Sequence, residues 1–166
     1  MKHKVVYNAC YGGFGLSPLA TKMYYEKKHP EIKLYFYIRE DYDYSNHIGT
    51  FRKIDVSELK EYKDRDVTIL INDLGETFKA NAWERNSEMD NKFHDATLYN
   101  MKVEDDELKR HDPTLVEIVE TLGDDASGSC ARLRIKEIEG AVYRIDEYDG
   151  YESVIEGYSD WISVND

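Results

Sequence analysis

Cysteine, proline and positive charge are all scarce in this chain of 166 residues. It has two cysteines, three prolines, and 22 lysines and arginines against 34 aspartates and glutamates. Cys10 and Cys130 fit no metal-ligand or disulfide spacing, which points to a reducing compartment, no metal site and no cofactor. The net charge of −12 would repel a phosphate backbone, so no nucleic-acid partner is expected. No apolar run approaches the ~18 residues that span a bilayer, and strand-like residues follow Lys4 at once. Neither a membrane span nor a signal peptide is therefore expected. There is no linker-like tract and no internal repeat, and the length suits one hydrophobic core, so a single domain over 1–166 is expected.

The hydrophobic pattern gives an α+β class. Lys4–Cys10 reads as a buried strand, and Tyr11-Gly12-Gly13-Phe14-Gly15 as a loop. Ser17 before Pro18 is a helix start, and Leu16, Ala20, Met23 and Tyr24 recur at helical spacing until His29-Pro30. Ile32–Ile38 and Val67–Ile71 read as further strands. Between them lie tyrosine-rich and charged stretches such as Asp41-Tyr42-Asp43-Tyr44 and Glu104-Asp105-Asp106-Glu107. Asp112 and Pro113 open a second amphipathic helix that closes at Gly123. Ala131–Ile138 and Ala141–Tyr148 suggest a hairpin about Glu139-Gly140, and Asp149-Gly150 a second turn before Tyr151–Ile155. The predicted fold is a mixed β-sheet with an N-terminal strand–glycine-loop–helix unit, a second helix and C-terminal antiparallel strands. The Lys4–Cys10 strand should lie at its centre under both helices.

The glycine loop is the strongest candidate site. Three glycines before a capped helix leave backbone N–H groups and the positive helix end for an anion, while Tyr11 and Phe14 could stack on a planar ligand. A nucleotide-binding Walker loop would need a lysine before Ser17, and the dinucleotide fingerprint a small residue where Pro18 stands. A cysteine phosphatase would need an arginine at Leu16. Asn8, Tyr11, Gly12, Gly13, Phe14, Gly15 and Ser17 form the expected ligand site. Arg110 and His111 would supply the cationic wall that the loop itself lacks. At least one glycine should take positive φ, two or more loop amides should lack protein partners, and Arg110→Ala should shift stability by no more than about 0.5 kcal/mol. Cys10, at a strand end beside a helix start, is a candidate nucleophile, and His111 with Glu147 a candidate acid–base pair. Glu137 and Glu147 share apolar strand faces, which places them beyond the core edge unless they are paired.

Asn8–Ser17 and Arg110–Gly123, continuing through Leu133–Ile138 and Ile145–Gly150, resemble a family of small, mostly uncharacterised proteins of bacteriophages and large DNA viruses. Members carry Ile-Pro where this chain has Ile138-Glu139, and His-Arg-x-Trp where it has Tyr158-Ser159-Asp160-Trp161. Members are shorter, so the resemblance implies a core of about 1–34 and 110–166, with about 35–109 an elaborating insertion. It also implies a viral origin, the host cytoplasm as location and no established activity. The reading that results is a phage accessory protein that binds a small anionic or nucleotide-like ligand at the loop without turning it over, sequestering a host signal. The alternatives are a small hydrolase or transferase using Cys10 or Glu147 and His111, and an interaction module acting through the acidic, tyrosine-rich insertion. A second copy of the chain or a host protein would be its further partner.

Overall fold

The computed structural model describes residues 1–98, 108–157 and 162–165. The stretches Glu104–Glu107 and Tyr158–Trp161 lie outside the described residues. The elements begin with β1 (His3–Asn8), α1 (Pro18–Lys28), β2 (Tyr35–Asp43), β3 (Ile48–Ile54), β4 (Val67–Leu70) and β5 (Thr77–Asn81). They continue with α2 (Glu88–Ala96), α3 (Pro113–Leu122), β6 (Leu133–Ile138), β7 (Val142–Tyr148), β8 (Tyr151–Glu156) and β9 (Ile162–Ser163). The protein is α+β, and every strand pair among the described residues is antiparallel, so the sheets are not mixed. Where the sequence reads as one domain carrying an insertion, the chain groups into two compact units. One is Met1–Lys28 with Met101–Asp166, and the other is His29–Asn100.

In the first unit, among the described residues, β1 pairs only with β6, with Val5 opposite Lys136 and Asn8 opposite Leu133. The expected central strand is therefore one of two. It is buried nonetheless, because its side chains alternate between two cores. Val6 joins Tyr24 of α1, Leu115 and Ile118 of α3, and Leu133. Val5 joins Ile138, Tyr143 and Val154 on the other side. Its second edge is closed without a strand: Val6 N–H donates to the Arg110 carbonyl at 2.8 Å and Asn8 N–H to the Glu152 carboxylate at 2.8 Å. The hairpin expected at Glu139-Gly140 is absent, because β6 has gone to β1. Those two amides donate instead to the Glu156 carboxylate. The hairpin that forms is β7–β8, with Asp149 (φ 50°) and Gly150 (φ 83°) at its turn. Positive φ at both central residues is what a tight type I′ turn requires.

Both predicted helices are present. Ser17 Oγ accepts from Ala20 N–H at 3.1 Å to cap α1, and Asp112 accepts from Thr114 N–H at 2.7 Å to cap α3. Burial raises the Asp112 carboxyl, but the hydrogen bonds from Lys28 and Thr114 outweigh it and leave the group below its ordinary value.

The second unit is a four-stranded sheet in the order β4-β2-β3-β5. One face carries Tyr37, Phe51, Leu70, Phe78 and Ala80 under Phe93 and Ala96 of α2, and the other carries Phe36, Ile38, Ile54 and Leu59. Strand β2 starts three residues later than expected and runs on to Asp43, held by β3 through a register shift between Arg39 and Asp41.

Candidate functional site

Asn8, the first expected ligand contact, is fully buried and occupied. Its side-chain N–H groups donate to the Cys10 and Gly150 carbonyls at 2.8 and 2.7 Å. Its Oδ1 accepts from Arg132 N–H at 2.8 Å and from the Cys10 thiol at 3.3 Å. Asn8 thus ties the end of β1 to the start of β6 and to the β7–β8 turn. Cys10 sits in the same knot, and its thiol also reaches the Cys130 carbonyl at 3.2 Å. The two cysteines, distant in sequence, meet here as free thiols.

The loop glycines have separate causes. A Cβ on Gly12 would overlap the Cys130 carbonyl, and one on Gly150 would overlap Gly13 N, so backbone packs directly on backbone at both. Gly13 has φ 97°, where an L side chain is strained. None of the amides of Gly12, Gly13, Phe14 or Gly15 donates a hydrogen bond among the described residues. The start of α1 is less open than expected. Ser17 N–H donates to the Ala126 carbonyl at 2.8 Å and Ser17 Oγ–H to the Asp125 carbonyl at 2.6 Å, so carbonyl oxygens already stand where an anion was expected.

Arg110 does approach the loop, with its guanidinium carbon 3.6 Å from the Phe14 ring centroid. It is not available to a ligand. Both terminal nitrogens donate to Glu152 at 2.7 Å, and both side chains are buried. The positive wall is neutralised from within, and Arg110 is not the exposed side chain on which the expected indifference of stability rested. Glu152 went unnoticed in the sequence, although alternation along Glu152-Ser153-Val154 places it on the buried face of β8.

The acid–base pair is not assembled. His111 Nδ1 is hydrogen-bonded to the Tyr143 hydroxyl at 2.8 Å, whereas exposed Glu147 accepts from Gly150 N–H inside the β7–β8 turn. Tyr143 and Glu147 stand four residues apart on one strand, a separation of about 13 Å. Burial pushes the Tyr143 phenol up to about 12, against the opposing Arg110 charge. Glu137 is exposed and pairs with Lys2 at 3.2 Å, as an edge carboxylate should.

The 29–100 unit carries two features that the sequence showed only as composition. The first is a chain of aromatic side chains at the β2–β3 turn. Tyr42 and Tyr44 meet edge to face at 4.9 Å, and Trp83 Nε1–H donates to the Tyr42 hydroxyl at 3.0 Å, which is 3.2 Å from His47 Nδ1. Trp83 is 74% and Tyr44 80% exposed. The second is a hollow of about 440 Å³ whose lining includes Arg39, Phe51, Arg65, Asp66, Phe93 and Thr97.

Among the described residues, no group of His, Cys, Asp and Glu could hold a metal ion, and no helix is long and apolar enough to cross a membrane. No family model, curated protein or solved structure matches the chain.

Proposed function

We propose that this chain is a binding protein whose contact surface is the aromatic cluster of the 29–100 unit, and that the surface receives a basic segment of a host protein. The observation that carries this is an exposed tryptophan held rigid. The Trp83 backbone N–H is fixed by Asn81 Oδ1 at 2.8 Å and its indole N–H by Tyr42, which is itself bonded to His47. Folding gains little apolar burial from rings left this exposed, whereas ordering them before contact lowers the entropic cost of binding. Charge selects the partner. Exposed Asp41, Asp43 and Glu84 flank the rings in sequence, while Glu40 is engaged by Arg52. One guanidinium is already accommodated, since Arg39 lies 4.5 Å from the Tyr42 ring centroid. Aromatic faces beside carboxylates favour arginine and lysine. A phage origin and a cytoplasmic host target belong to the same reading.

Titration with an oligoarginine peptide and an oligoglutamate control tests it. The oligoarginine should bind, and Trp83→Ala and Tyr44→Ala should each weaken it by about tenfold or more while leaving the net charge unchanged. Equal binding by wild type and both variants would mean that the −12 chain attracts the peptide by charge alone, and would reject the surface.

The free amides of Gly12–Gly15 and the positive φ of Gly13 favour a second reading, a small anion at the glycine loop. Its expected cation, Arg110, is taken by Glu152, and its helix start is closed by the Ala126 and Asp125 carbonyls. Saturable shifts of the Gly12–Gly15 amide resonances with inorganic phosphate would establish it, and their absence would exclude it.

A further inference from the structure

The hollow in the 29–100 unit has an origin in the sheet. Strand β4 covers β2 only from Tyr35 to Ile38, where Ile38 faces Val67, while β2 continues along β3 to Asp43. Beyond Ile38 the outer side of β2 is unpaired among the described residues. The turn Asp64–Asp66 that leads into β4 brings Arg65 and Asp66 to this notch. Phe51 and Phe93, whose rings lie 5.0 Å apart, form an apolar wall, and Thr97 stands at the end of α2.

Two arginines line this hollow against one carboxylate, Asp66. Neither Arg39 nor Arg65 has an ion pair among the described residues, and the nearby Glu40 is taken by Arg52 at 2.7 Å. In a chain so acidic, two arginines without a carboxylate partner around one concavity run against the general charge, with Arg39 held from one side by the Tyr42 ring at 4.5 Å. Guanidinium groups grip an oxyanion through paired N–H donors. The Phe51 and Phe93 wall offers contact to a flat apolar body, while Asp66 and Thr97 can meet its polar rim. The volume of about 440 Å³ falls within the ~300–1,000 Å³ of small-molecule sites.

We infer that this hollow binds a small organic oxyanion with a flat ring body, of the size and chemistry of a nucleoside monophosphate. Arg39 borders both this hollow and the Tyr42 ring of the aromatic contact surface, so Arg65 and Trp83, each belonging to one site alone, tell the two apart. Calorimetric titration of the full chain with AMP, adenosine and inorganic phosphate is the test. AMP should bind saturably, and adenosine and phosphate each at least about tenfold more weakly, because each keeps half of the recognition. Arg65→Ala, a change at an exposed side chain, should weaken AMP by about tenfold or more and leave oligoarginine binding unchanged, and Trp83→Ala should do the reverse. Absence of saturable AMP binding at millimolar concentration, phosphate binding as tightly as AMP, or an Arg65→Ala variant indistinguishable from wild type would each overturn the inference.

Discussion

Truncating Arg110 to alanine should rank among the most damaging single changes in the chain. The bidentate contact with Glu152 is buried, and Glu152 also holds the Asn8 amide at the open edge of β1. Removing the cation leaves a carboxylate in a dry site, at a cost of about 3–5 kcal/mol. Replacing both partners, as in Arg110→Met with Glu152→Leu, should cost clearly less than Arg110→Ala. Urea unfolding of the two variants measures the difference, and equal losses would show that the packing on Phe14 matters more than the ion pair. Asn8→Ala tests the same knot from its other side. It strands the Arg132 N–H and the Gly150 carbonyl, and should cost about 2–4 kcal/mol in the same assay. None of this was legible as structure in the sequence. Arg110 stood out as a residue that the helix cap leaves free, and such a group attracts a ligand reading when its buried partner sits far along the chain. Glu152 is that partner, 42 residues beyond Arg110.

At the scale of elements, legibility followed the strength of local signals. Helices α1 and α3 were readable because each has a cap, a proline and a stripe of apolar side chains. The β7–β8 turn was readable because Asp149-Gly150 matches the backbone it needs. Pairing was not readable: β6 and β7 are neighbours in sequence, yet β6 completes β1, a choice made by the distant cores of Val5 and Val6 rather than by Glu139-Gly140. Strand β3 escaped because Ile48 faces outward while Gly49 takes a buried position, β5 because its alternation rests on Phe78 and Ala80 alone, and α2 because only Phe93 and Ala96 mark its buried face. One signal for α2 was present in Ser87-Glu88-Met89-Asp90, a capping pattern. Ser87 Oγ accepts from Asp90 N–H at 3.0 Å, and Ser87→Ala should cost about 1 kcal/mol in thermal or urea unfolding. Burial raises the Asp90 carboxyl, but the amides of Asn81 and Asn86 and the Ser87 hydroxyl outweigh it and hold it below the ordinary 3.8. A lowered folded value means that this stabilisation is complete above 3.8 and is lost as pH falls through the folded value. Asp90→Asn should therefore unfold with a weaker pH dependence than wild type below about pH 4. Parallel acid titrations of the two proteins would refute this assignment.

At the scale of the whole chain, the grouping into two units follows from cores that share no residues. The unit Met1–Lys28 with Met101–Asp166 buries aliphatic side chains of α3 and β1, while His29–Asn100 is built on aromatic rings. Tyr37, Phe51, Phe78 and Phe93 are linked by ring contacts of 5.0–5.8 Å, and a second small core of Phe36, Ile38, Ile54 and Leu59 lies on the opposite face of the same sheet. A sheet covered on both faces, with α2 on one of them, has what a small domain needs, although units of this size bury little more than about 60% of their chain surface. The segment 29–100 expressed alone should accordingly fold with marginal stability. Its amide resonances should be dispersed and its urea unfolding cooperative, with a midpoint well below that of typical larger domains. Phe51→Ala removes a ring that touches both Phe78 and Phe93, at a cost of about 3–5 kcal/mol, and should abolish the fold of the isolated segment. Conservative Phe51→Leu should restore part of it. A random-coil spectrum for the unmodified segment, or a fragment indifferent to Phe51→Ala, would show that the aromatic core does not hold this unit together by itself.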